Sequence, residues 1–75
     1  MLNWKDSVDK TWSEARAPRA IGGRYVISWG LHYWNVDHRR QRGRMRRQLG
    51  FAYTAEEAKT LAQIDSDKAL SNAQP

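Results

Sequence analysis

The sequence predicts an α+β fold, a small antiparallel sheet packed against one C-terminal helix. Three observations lead there. Between residues 24 and 49, short runs of aromatic and β-branched residues alternate with polar ones and are broken by glycines. After them comes Thr54-Ala55-Glu56-Glu57, a helix-start signal, followed by a stripe of small and apolar residues. The chain has 75 residues and no cysteine, so it holds one modest core without disulfide support.

The first residues admit two readings. Val8, Trp12 and Ala15 fit a helical stripe capped by Asp6 or Ser7. Trp4 and Trp12 equally fit two short strands around a turn at Val8-Asp9-Lys10. The strand reading is favoured, because a three-strand sheet gains more from an added hairpin than from a second short helix. Pro18 ends either element.

Arg24-Tyr25-Val26-Ile27-Ser28-Trp29 is the next strand. Alternation puts Tyr25, Ile27 and Trp29 on one face and Arg24, Val26 and Ser28 on the other. Gly30-Leu31-His32 suits a short hairpin loop. In the following strand Trp34, Val36 and His38 face inward, and Tyr33, Asn35, Asp37 and Arg39 face outward. Gln41-Arg42-Gly43 is a turn candidate. Arg44 to Leu49 then returns as a third strand, with Met45 and Leu49 inward and Arg44, Arg46 and Gln48 outward. Arg47 shares the inward parity, so its head must snorkel out at the sheet edge.

In the capping box, the Thr54 hydroxyl meets the N–H three residues on and Glu57 reaches back to the N–H of Thr54. The helix runs from there through Ala58, Leu61 and Ala62 to about Asp65–Asp67. Residues 68–75 lack periodicity and are expected to form a disordered tail, leaving 1–67 as one small domain. Of the four tryptophans, three are expected in the core, Trp29 and Trp34 on parity.

The net charge is +5, and it is segregated. Residues 1–15 and 54–75 are mildly acidic, whereas residues 16–53 carry nine arginines against Asp37 alone. Six arginines fall between positions 39 and 47. Charges packed this densely repel unless an anion offsets them. The choice of arginine over lysine throughout this segment favours bidentate contact with phosphate or carboxylate.

Other function classes fare worse. The chain is too small to support a catalytic shell, so a non-enzymatic module is expected. His32 and His38 lack further ligands at a recognised spacing, so neither metal nor other cofactor is expected. No apolar run approaches the ~20 residues of a membrane span, and the first residues have no apolar signal region. The expected location is therefore the cytoplasm, or the host cytoplasm for a phage-encoded chain.

Leu49-Gly50-Phe51-Ala52-Tyr53-Thr54-Ala55-Glu56-Glu57-Ala58 resembles the third strand and helix start of AP2-type DNA-binding domains, an architecture shared by the arm-binding domains of phage tyrosine integrases. Tyr25, Trp29-Gly30 and Trp34 fall near the places where those domains put strand one, its turn and strand two, so the likeness spans roughly residues 24–66. The aromatic that the family carries two residues after the glycine is replaced by Ala52, with Phe51 and Tyr53 on either side. The resemblance implies a sheet that enters the major groove and reads DNA with its outer face. The matching outward positions are Arg24, Tyr33, Asn35, Arg44, Arg46 and Gln48.

Arg39, Arg40 and Arg42 at the hairpin tip are expected to track phosphates, and Arg47 belongs to the same basic run. Asp37 is the discordant residue on this face. Residues 39–47 also look like the arginine-rich motifs of viral RNA binders. The expected partner is thus nucleic acid, DNA ahead of RNA, for a phage or mobile-element regulator. The competing expectation is a small phage-type regulator that binds an acidic surface of a host protein, such as RNA polymerase or a defence nuclease.

Overall fold

The computed structural model describes residues 1–40 and 46–73. Five strands, β1 (Trp4–Asp6), β2 (Trp12–Arg16), β3 (Arg24–Trp29), β4 (Trp34–Arg39) and β5 (Arg46–Ala52), form one sheet in the order β1-β2-β3-β4-β5. Every neighbouring pair is antiparallel. The helix α1 (Ala55–Ala73) crosses one face. The N-terminal residues are therefore a hairpin and not a helix. Its turn is closed by Asp9, whose Oδ1 accepts from Ser7 Oγ at 2.8 Å, Thr11 Oγ1 at 2.7 Å and Thr11 N at 3.1 Å. These bonds hold the Asp9 carboxyl below the ordinary range, Thr11 contributing most. They also support Lys10 at φ 58°, a left-handed conformation that a non-glycine residue seldom adopts.

The connection between β2 and β3 folds back on Pro18, whose carbonyl accepts from Ile21 N and Gly22 N, both at 2.9 Å. Gly23 follows at φ 75°, where a Cβ would collide with the Arg39 carbonyl. Glycine here lets the turn sit against the end of β4. His38 secures the same corner. It is buried, stacks on Tyr25 with centroids 4.7 Å apart, and its Nε2 lies 3.0 Å from the Gly22 carbonyl oxygen. The turn candidate at 41–43 lies outside the described residues, as does Met45.

Strand β5 extends to Ala52, past the expected end at Leu49. Its register against β4 breaks between Val36 and Asp37, so that Gly50 faces Val36, Gln48 faces Asp37, and Leu49 is the extra residue of a bulge. The bulge resets the alternation after it: Arg47 and Leu49 already share a parity, but Phe51, which would follow them, is sent to the opposite face, and Ala52 turns to the helix side. Arg47 pairs with His38 and reaches Asp65 of the helix at 2.8 Å, while Leu49 packs against the core.

The core lies between the sheet and α1. Tyr25, Ile27 and Val36 are fully buried against Ala58 and Ala62. The alanines, with Ser66 one turn further on, let the helix lie close. Docking is fixed by polar contacts at its rim. Asp65 Oδ2 accepts from Tyr25 Oη at 2.9 Å as well as from Arg47, and Gln63 Oε1 accepts from Leu2 N at 3.0 Å. Burial, reinforced by Asp65, pushes the Tyr25 hydroxyl well above its ordinary pKa.

Three local expectations are corrected. Residues 68–73 are helical, not a tail, and Ala69 and Leu70 are half-buried. Glu57 N donates to Thr54 Oγ1 at 3.1 Å as expected, but the Glu57 carboxylate accepts from Tyr53 N at 3.4 Å, one residue before the anticipated donor. Finally, none of the four tryptophans is fully buried. Trp4 and Trp34 are half-buried against the core, while Trp12 and Trp29 remain 41% and 45% exposed. The buried positions between sheet and helix are held instead by Tyr25, Ile27, Val36 and a set of alanines.

Candidate nucleic-acid interface

The face opposite α1 is covered by no other element among the described residues. Strand register organises it into three rows. At one end Arg16, Arg24, Arg39 and Arg46 are cross-strand partners in succession over β2, β3, β4 and β5. The middle row is Glu14, Val26, Asp37 and Gln48. The far row is Trp12, Ser28, Asn35 and Phe51. Tyr33 extends the far row by packing edge-on against Phe51, with centroids 4.8 Å apart.

Like charges directly opposite one another on a sheet are destabilising, by roughly 0.2–1 kcal/mol a pair. The arginine row contains three such pairs in series. The middle row relieves part of this. Glu14 Oε2 is 3.0 Å from Arg24 Nη1, and Asp37 Oδ2 is 3.3 Å from Arg46 Nε and 3.8 Å from Arg39 Nη2. Two carboxylates thus serve three arginines, while Arg16 enters no ion pair among the described residues. The side chains of Arg24, Arg39 and Arg46 keep 54%, 36% and 58% exposure, so the pairing leaves their outer edges open to a ligand.

Asp37 does not face outward into solvent as its parity suggested. Its side chain is fully buried beneath Arg39 and Arg46. The surface there presents guanidinium groups and not a carboxylate. The discordance at this position is resolved by layering: the acid is the floor and the bases are the roof. Beside it, Trp12, Arg24 and Arg39 border a shallow concavity of about 500 Å³. A second concavity of about 290 Å³ is lined by Tyr33, Phe51, Ala52 and Tyr53.

Of the residues selected from sequence, Arg24, Asn35, Arg39, Arg46 and Gln48 share this face, and Tyr33 joins it through Phe51. Gln48 Nε2 donates to Asn35 Oδ1 at 3.4 Å, which links the two amides. Arg40 is exposed just past β4. Arg47 lies on the helix side, bound to Asp65, and is not part of the row. Arg42 and Arg44 lie outside the described residues. Arg16, Trp12 and Phe51 were missed. Arg16 and Trp12 were hidden by the ambiguity of the N-terminal hairpin, since their face follows at once from pairing β2 with β3. Phe51 was hidden by the bulge.

Among the described residues, no group of three or more histidine, aspartate or glutamate side chains converges to hold a metal ion, and no helix is long and apolar enough to cross a membrane. No family model, curated protein or solved structure matches the chain.

Proposed function

We propose that the chain is a non-enzymatic nucleic-acid-binding module whose open sheet face grips phosphates through the row Arg16-Arg24-Arg39-Arg46. The observation that carries this reading is the row itself. Four arginines stand in unbroken cross-strand succession, giving three like-charge cross-strand pairings that folding alone would disfavour. A phosphate backbone offsets that repulsion, and each guanidinium offers it a planar fork.

The test is fluorescence anisotropy with labelled oligonucleotides at a series of salt concentrations. Four neutralised phosphates give a log–log slope of about −3 to −4, the smaller value for a single strand. A slope near zero overturns the reading.

One observation favours a second reading. Trp12 sits exposed beside Arg24 at the larger concavity, and tryptophan with arginine is a frequent protein-interface anchor. On that reading the row meets an acidic protein surface. Capture of one defined partner from nuclease-treated host lysate, lost on Trp12→Ala, together with a flat salt response toward oligonucleotides, would establish it.

A further inference from the structure

We infer that the polynucleotide this face takes is an unpaired single strand, held by stacking a base on the aromatic shelf formed by Tyr33, Phe51 and Tyr53. The inference rests on the proposed nucleic-acid reading and narrows it. These rings are 40%, 56% and 82% exposed, and together with Ala52 they line a concavity of about 290 Å³. Exposed aromatic clusters are costly to keep in water and mark binding surfaces. Tyr33 braces Phe51 edge-on, so the Phe51 ring is pre-positioned.

What sits next to the shelf says what covers it. Asn35 pairs across the strands with Phe51 and is hydrogen-bonded to Gln48, so an amide pair lies beside the rings. Amides offer donors and acceptors to base edges. Along β4, Arg39 is four residues from Asn35, about 13 Å at the usual rise of a strand. A strand whose phosphates follow the arginine row can therefore turn a base across the acid-floored middle row and onto the shelf. In a duplex the base faces are already stacked on their neighbours and give a protruding ring nothing to cover. An unpaired base has both faces available, and basic grooves with aromatic platforms bind single strands in this way. Base faces and phosphates are common to DNA and RNA, so the shelf is indifferent to the sugar.

The experiment measures anisotropy of labelled oligothymidine, oligouridine and a random-sequence duplex of equal length, at one salt concentration. The two single strands are expected to bind within a few fold of each other and at least about tenfold more tightly than the duplex. Phe51→Ala is expected to weaken single-strand binding about 5- to 50-fold, well beyond any loss with the duplex, and to be rescued by Phe51→Trp. Tyr53→Ala, at a more exposed site, repeats the test if Phe51→Ala lowers the melting temperature. Arg46→Gln is expected to weaken binding to all three probes.

Duplex binding as tight as single-strand binding, or no loss in either aromatic variant, overturns the inference. So does a large preference for one sugar. In each of those cases loss of affinity in Arg46→Gln leaves the polyanion reading standing, whereas no effect of Arg46→Gln on any probe removes both.

Discussion

On the helix-covered face of the sheet, Tyr25, Ile27, Val36 and His38 are between 0% and 4% exposed, and a helix explains their burial. On the open face Val26 and Asp37 are buried to the same degree, at 4% and 0%, with no element above them. The covering there comes from side chains, with Arg39 and Arg46 over Asp37 and with Trp12, Arg24 and Arg39 around the concavity next to Val26. Arginine stems shield apolar surface while their heads stay in water. One face is thus closed by packing and the other by charge. The difference teaches that a buried residue on this sheet does not by itself mark the core. It also locates the cations. The helix side binds Arg47 to Asp65, whereas the open side sets its arginines opposite one another across the strands, three of them sharing two carboxylates and Arg16 pairing with none among the described residues.

The largest expected effect breaks the comparison on the closed side. Ile27 is fully buried between the strands and α1. Truncation in Ile27→Ala is expected to cost about 2–5 kcal/mol of stability, read from urea denaturation. A loss below about 0.5 kcal/mol, the level of an ordinary surface substitution, would mean that the two faces are not packed differently.

A smaller effect is expected on the open side. Asp37→Asn keeps the shape of the side chain and removes the charge that holds Arg39 and Arg46 together. The expected loss is about 1–3 kcal/mol, below the figure for a fully enclosed ion pair because both guanidinium groups reach solvent. A gain in stability in the same denaturation experiment would show that the buried carboxylate is a burden and not a tie between its two neighbours.

The alternation of Arg24 to Trp29 and of Trp34 to Arg39 was legible from side-chain type alone, and the structure keeps both sets of faces. The capping threonine was legible for the same local reason. What could not be read was set by pairing between segments. The arginine row needs the register of four strands at once, and its first member, Arg16, sits in a stretch whose hydrophobic spacing fits helix and strand equally. The burial of Asp37 depends on where two long side chains fold over it, which alternation does not encode. The bulge at Leu49 follows from the meeting of β4 and β5, and it sends Phe51 to the face opposite Arg47, with which simple alternation would group it. The last turns of the helix were not legible because residues 68–73 carry little apolar periodicity. Ala69 and Leu70 keep that segment half-buried all the same.

The smallest expected effect on stability sharpens the comparison most. Arg16 is exposed, stands opposite Arg24, and has no carboxylate partner among the described residues. Nothing in the fold therefore needs its charge. Arg16→Gln removes one like-charge pair and is expected to leave stability unchanged or raise it by about 0.2–0.5 kcal/mol. If the row serves a polyanion, the same variant weakens oligonucleotide binding and makes the log–log salt slope shallower by about one. Stability and binding then move in opposite directions at a single residue, which is the behaviour expected of a charge kept for a ligand and not for the fold. A variant that loses stability without altering the salt slope would place Arg16 among the structural arginines with Arg47, and the open face would lose the end of its row.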